Sequence, residues 1–246
     1  MSKGALDGQV ALVTGAGKRL GRAVALGLAA EGARLVVHYN RSEAEAREVA
    51  AEIARGGGEA LCLRAELTRN EEIERLFNET ERHFHRLDIL VNNAAVFYPT
   101  PLADTTEAQW DMLVDSNLKA QFFCAQRAAP MLRGSGSGRI INFASLGGLL
   151  PWPKYTAYCV SKAGVIMLTR CLARALGPEI TVNAVAPGTI SFPEDESQLH
   201  EAYNRLTPLG RTGTPQDVVE AVLYLVKARF VTGQILPVDG GRTIPA

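Results

Sequence analysis

A glycine-rich stretch, Thr14-Gly15-Ala16-Gly17-Lys18-Arg19-Leu20-Gly21, separates an apolar β-branched run, Val10-Ala11-Leu12-Val13, from an Ala/Leu-rich segment at 22–30. That order predicts strand, tight turn and helix. Glycines let the backbone turn sharply and approach a diphosphate closely. The helix behind them offers unpaired N–H groups and a positive dipole end. A glycine cluster alone is a weak signal; the flanking strand and helix are the context that turns it into a dinucleotide-site candidate.

The rest of the chain repeats this alternation. Residues 34–39, 59–66, 88–93, 138–145, 180–186 and 234–238 read as six further strands. Ser42 with Glu45, and Thr68 with Glu71, have the spacing of capping boxes opening helices that end near Arg55 and Phe84. A long helical stretch over 106–132, bent near Ser116, precedes the fifth strand, and 155–176 is helical after it. Thr214 caps a helix with Pro215 at its first position and Asp217 in its first turn. Residues 189–209 lack a clear period and read as a mobile loop with a short helix. Alternating strands and helices predict an α/β fold: a doubly wound, seven-stranded parallel sheet with helices on both faces. In such sheets ligands bind beyond the carboxyl ends of the strands, so the segments ending at Gly15, Tyr39, Asn92, Ser145 and Pro187 should converge.

Charge excludes some functions. The 26 basic and 26 acidic residues cancel, which gives no electrostatic case for nucleic acid or an acidic membrane surface. No apolar run approaches the ~20 residues needed to span a bilayer, and no signal-peptide core is evident. Cys62, Cys124, Cys159 and Cys171 stand singly and read as reduced, mostly buried thiols of a cytosolic protein. The four histidines make no metal-ligand pattern, and His83 and His85 read as helix-terminal or surface residues.

Asn117, Ser145, Tyr158 and Lys162 lie near the predicted strand ends and form a chemical set. Tyr158 and Lys162 are four apart on a predicted helix, one turn from each other on the same face. A phenol with a pKa near ~10 is a poor acid–base group at neutral pH, and a nearby ammonium favours its phenolate. Ser145, ending a strand, presents a hydroxyl to a substrate oxygen or nitrogen.

The glycine turn, Asn92-Asn93-Ala94, Asn117, Ser145, Tyr158-Cys159-Val160-Ser161-Lys162, the Val182 to Gly188 run and Val238-Asp239-Gly240-Gly241 together resemble the short-chain dehydrogenase/reductase family over nearly the whole length. The resemblance implies one Rossmann domain over 1–246, a small-molecule substrate, a cytoplasmic location and a homotetramer. Tyr158 would be the general acid in reduction. Lys162 would hold the nicotinamide ribose and lower the tyrosine pKa, Ser145 would orient the substrate, and Asn117 would support a water relay. The cofactor would lie on Gly15, Lys18, Arg19, Leu20, Gly21, Tyr39, Asn40, Arg41, Ser42, Glu66, Leu67, Asn93, Ala94, Ala95, Tyr158, Lys162, Pro187 and Gly188, with no metal. Three positions depart from the family pattern. Arg19 stands at the middle glycine of the turn, Glu66 at the adenine-side aspartate, and Ala95 at the glycine after Asn-Asn-Ala.

Charge also bears on the cofactor. NAD-preferring relatives end the second strand with an acid that bonds the ribose hydroxyls. Here Tyr39, Asn40, Arg41 and Ser42 occupy that region, and Arg41 with Ser42 suits a 2′-phosphate, with Lys18 or Arg19 as a second cation. The expectation is NADPH. The Lys18-Arg19 pair, the 38–42 run and the 92–102 run are similar to the pteridine reductases, which implies that Phe97 and Arg19 hold a flat pterin, with Ser145 and Tyr158 completing the substrate site. That subgroup has an aspartate at Ser145 and a serine at Ala95. The expected function is therefore reduction of a C=N or C=O carbon, first of a dihydropterin. A 3-oxoacyl thioester or other small ketone is the alternative, and a non-catalytic NADP-binding regulator the third.

Overall fold

A computed structural model describes residues 4–192, 195 and 203–244. Much of the loop expected at 189–209 lies outside the described residues. The strands are β1 (Val10–Val13), β2 (Arg34–Tyr39), β3 (Ala60–Arg64), β4 (Ile89–Asn92), β5 (Gly138–Phe143), β6 (Ile180–Pro187) and β7 (Ile235–Val238). They form one parallel sheet in the order β3-β2-β1-β4-β5-β6-β7, with β1 flanked by β2 and β4. The order reverses direction between β1 and β4, and a crevice opens at that switch point.

Side chains alternate across each strand and so divide the core into two layers. Ala11, Val13, Leu35, Val37, Ile89 and Val91 pack beneath α1 (Arg19–Ala30), α2 (Glu43–Arg55) and α7 (Pro215–Lys227). Val10, Leu12, Val36 and Leu90 pack on the other face, beneath α3 (Asn70–Phe84), α5 (Ala120–Gly134) and α6 (Thr156–Leu176). The doubly wound expectation holds because each strand is apolar on both faces.

The helix starts divide differently. Thr214 caps α7 in a full capping box with Asp217, as expected, and Thr106 with Gln109 builds another at α4 (Glu107–Val114). Neither Ser42/Glu45 nor Thr68/Glu71 forms one. Glu45 instead pairs with Lys18 at 2.7 Å. The Thr68 hydroxyl donates to Glu66 Oε1 at 3.1 Å, and α3 begins one residue later than a Thr68 cap would allow, behind Arg69. In both places a charged partner outside the box takes the group that would have capped. The bend expected near Ser116 is a π-helical turn, Asp115–Lys119, between α4 and α5.

The thiols are free, but only Cys124 is fully buried, and Cys171 is exposed on the outer side of α6, which corrects the expectation of mostly buried cysteines. His85 terminates α3 in the left-handed conformation and His83 sits in its last turn. Among the described residues no helix is long and apolar enough to cross a membrane, and no cluster of potential metal ligands occurs.

Candidate active site

One cleft of about 900 Å³ opens above the switch point. Every expected cofactor position from Gly15 to Ala95 lines it, together with Phe97, Tyr158 and Gly188. Asn117, Ser145, Lys162 and Pro187 stand behind its surface and are buried.

The turn after β1 is closed on itself. Gly15 has φ +64°, and a Cβ on Gly21 would lie 2.1 Å from the Gly15 carbonyl oxygen and 2.6 Å from Asn93 Nδ2. Asn93 Nδ2 donates to the carbonyls of Thr14 (2.9 Å) and Gly15 (3.2 Å), and the Thr14 hydroxyl accepts from the amides of Asn93 and Ala94. Side chains of Thr14 and Asn93 therefore join the ends of β1 and β4. Lys18, at the N-cap of α1, caps nothing with its side chain, and no acid stands in the first turn. The amide end of α1 is left to an anion, so the donor set and the cradle fit a dinucleotide diphosphate.

Arg19 occupies the position of the missing glycine with φ +48°, a conformation that costs a side chain roughly 1–2 kcal/mol. Its guanidinium grips Asp195 in a two-pronged pair at 2.9 and 3.1 Å and lies 3.9 Å from the centre of the Phe192 ring. Arg19 and Phe97 both line the cleft, but the charged head of Arg19 is engaged by the segment after β6. Lys18, expected as a second cation for a 2′-phosphate, pairs with Glu45, and Arg41 is exposed at the mouth of the cleft. Glu66 joins strand ends: it accepts from Asn40 Nδ2 and from Thr68.

Asn117 sits in the π-turn, fully buried. Its Oδ1 accepts from the Val96 amide at 2.8 Å, and its Nδ2 donates to the Val96 carbonyl at 3.0 Å and to Ser161 at 3.3 Å. This clamp holds the loop that carries Ala95 and Phe97 against α6. Lys162 is buried, and its ammonium donates to the Phe143 carbonyl at 2.7 Å, 5.8 Å from the centre of the Tyr158 ring. The Ser145 hydroxyl accepts from the Gly147 amide at 3.1 Å.

The expected fall in the tyrosine pKa is not found in the protein alone. Burial holds Tyr158 above its ordinary value, and a hydrogen bond with Ser145 offsets only part of that. Burial likewise brings Lys162 down to about 7, so the cation that should favour a phenolate is itself poised to lose its proton.

Sequence reasoning missed the rings around Tyr158. Phe97 stacks on Tyr155 (centroids 4.7 Å, planes 10° apart) and meets the Tyr158 ring edge-on at 4.7 Å. Trp152 lies nearly parallel to Tyr158 at 6.3 Å, and a Cβ on Gly147 would come within 3.0 Å of the tryptophan and 3.2 Å of the tyrosine. Phe97 remains 57% exposed. His38 was missed too. It sits near the end of the buried β2 run, and a histidine following Leu35-Val36-Val37 was the available signal.

Comparison with known proteins agrees with this geometry. A family model described as enoyl-(acyl carrier protein) reductase matches residues 15–243. A 3-oxoacyl-[acyl-carrier-protein] reductase of Synechocystis is 39% identical, with 96% of this chain and 98% of that protein aligned. The crystal structure of a dehydrogenase/reductase from Sinorhizobium meliloti superimposes with a TM-score of 0.91 at 39% identity, covering 96% of each chain. A 7α-hydroxysteroid dehydrogenase, solved with NADH and 7-oxo glycochenodeoxycholic acid, gives 0.91 at 34% identity over 96% of this chain and 94% of that one.

Proposed function

The chain belongs to the short-chain dehydrogenase/reductase family, and from that premise we propose that it is an NADPH-dependent reductase of ketone carbonyls, with a 3-oxoacyl thioester as its first substrate class. The observation that carries this is Tyr158 in the wall of a cleft whose glycine turn fits a dinucleotide, with Ser145 hydrogen-bonded to it and Lys162 buried one helical turn away. When bound, the nicotinamide supplies a hydride. Tyr158 holds the proton for the carbonyl oxygen at its phenolic Oη, and burial keeps that proton in place until the oxygen gains charge. Ser145 offers a second hydrogen bond to the same oxygen. Lys162 is pulled toward neutrality by burial; ribose hydroxyls beside it would add acceptors for its N–H groups and restore the ammonium that eases proton loss from Tyr158. Asn117 keeps the loop over this site and, with the widened π-turn, supports a water path to Lys162. Arg41 and Ser42 hold the 2′-phosphate.

The ketoacyl activity named for the Synechocystis relative supports the thioester, and Ser145 is the residue a carbonyl substrate needs. Dihydropterin reduction is the second reading, favoured by the largely exposed Phe97 ring beside Tyr158. Exposed apolar side chains on α4, α5 and α6 (Trp110, Phe122, Met167) support self-association, proposed as a homotetramer in the cytoplasm.

The test is NADPH consumption by the purified protein with an acetoacetyl thioester, a dihydropterin and a quinone side by side. Brisk turnover of the thioester supports the first reading. Turnover of the dihydropterin alone transfers the site to the second, and tight NADPH binding with no consumption on any of the three leaves a binding protein.

A further inference from the structure

We infer that His38 is a positioning residue of the cofactor turn, acting as a neutral imidazole that bridges the Gly15 amide and the Ala65 carbonyl. The proposal rests on the reading of the cleft as a dinucleotide site and assigns a role to a residue that the proton chemistry does not use.

His38 is 2% exposed near the end of β2. Its Nδ1 accepts from the Gly15 N–H at 3.0 Å, and its Nε2 lies 3.0 Å from the Ala65 carbonyl oxygen. The backbone carbonyl of the same residue accepts from the Ala16 amide at 2.9 Å. One residue thus takes two successive amides of the glycine turn, which Gly15 enters at φ +64°. These contacts determine the tautomer. A ring nitrogen that accepts from an amide carries no proton, so the proton sits on Nε2 and is donated to Ala65. An imidazolium would set its own N–H against that of Gly15. Burial lowers the ring's basicity to about 4, against the opposing pull of the Ala65 carbonyl and the nearby Glu66 carboxylate.

The bridge joins the diphosphate turn after β1 to the segment after β3, where Glu66 and Leu67 line the adenine end of the cleft. The Ala65 amide in turn donates to the Tyr39 carbonyl at 3.0 Å. An apolar residue at 38 would leave the part-buried Gly15 N–H and the buried Ala65 C=O without this partner. The turn would relax, and the cost should fall on cofactor binding while the distant Tyr158 keeps its geometry.

Two variants and one spectrum decide the matter. His38→Leu should weaken NADPH binding, followed by fluorescence, by about tenfold to a hundredfold, with kcat at saturating NADPH unchanged. His38→Gln, whose amide can both accept and donate, should recover most of that loss. In the wild type, ¹⁵N NMR of the ring should show a neutral Nε2–H tautomer from about pH 5.5 to about 8. A folded His38→Leu protein with wild-type NADPH affinity overturns the proposal, as does a fall in kcat without a change in affinity. An Nδ1–H tautomer, or a ring that gains its proton near pH 6.5, overturns it even if the leucine variant fails to fold. A wild-type protein that binds neither NADPH nor NADH defeats the cofactor reading itself, while the NMR result still judges the bridge.

Discussion

Within the glycine turn the polar contacts run between backbone and buried or half-buried side chains, whereas around Arg19 and Phe97 the contacts run between side chains that keep part of their surface in solvent. His38 and Asn93 bond the main chain of the glycine turn directly, and the Thr14 hydroxyl bonds the main chain at the end of β4. Arg19 reaches Asp195 and Phe192, and Phe97 lies on Tyr155, through side chains that keep much of their surface in solvent. The first arrangement holds any ligand of the right backbone shape. The second can be rebuilt by changing one ring or one charge, so chemistry should reside in the rigid half and substrate choice in the other.

The strongest way to break this division is Tyr158→Phe, which removes the proton and leaves the ring packed. Turnover should fall by about two to four orders of magnitude, the usual worth of a positioned acid, while NADPH fluorescence binding persists. Near-normal turnover would move the chemistry elsewhere. Within the rigid half, replacing Tyr39 with Asp and Arg41 with Ala adds repulsion and removes a charge-assisted pair. The NADPH/NADH ratio of kcat/KM should drop by a few kcal/mol, on the order of a hundredfold. A wild type that already prefers NADH contradicts the 2′-phosphate assignment.

On the adaptable side, Phe97→Ala should lose roughly 1–3 kcal/mol with a flat ring substrate and far less with an acetoacetyl thioester. Equal losses on both would make Phe97 a packing residue between Tyr155 and Tyr158. The last test concerns stability rather than turnover, at Lys162. Its folded pKa lies below the unfolded value, so between pH 7 and the ordinary lysine range the unfolded chain binds the extra proton and stability of the cofactor-free protein rises with pH. Tm should climb over that window, at roughly 2–4 °C per kcal/mol for a chain of this size. Lys162→Met should flatten the rise, and an identical slope in the variant would show that Lys162 is charged in the folded state.

The architecture was legible because strand polarity and the glycine turn are local properties. Val10–Val13 is apolar on both faces, Gly15 is selected by its positive φ, and the nearest obstacle to a side chain at Gly21 is the Gly15 carbonyl, six residues back. Helix caps were legible only where no remote charge competed. Thr214 and Asp217 close their box, and Asp217 also pairs with Arg211, six residues away, without leaving it. Ser42 and Thr68 lose theirs because Lys18, brought in by the turn, and Glu66, by the end of β3, offer stronger partners.

The spacing of Tyr158 and Lys162 on one helix, their place beyond parallel strands and the family they imply were determined by sequence alone, because a helical period and a strand end need no knowledge of what packs against them. Tertiary structure decided the rest. It put Arg19 on Asp195 and set the rings of Phe97 and Trp152 against Tyr158. It made Lys162 a lysine poised near pH 7, since a pKa follows from the dielectric of the surroundings and not from the side chain. It also made His38 a neutral bridge, because a tautomer is chosen by the two groups that meet the ring, and Gly15 and Ala65 meet it only once β1, β2 and β3 lie side by side.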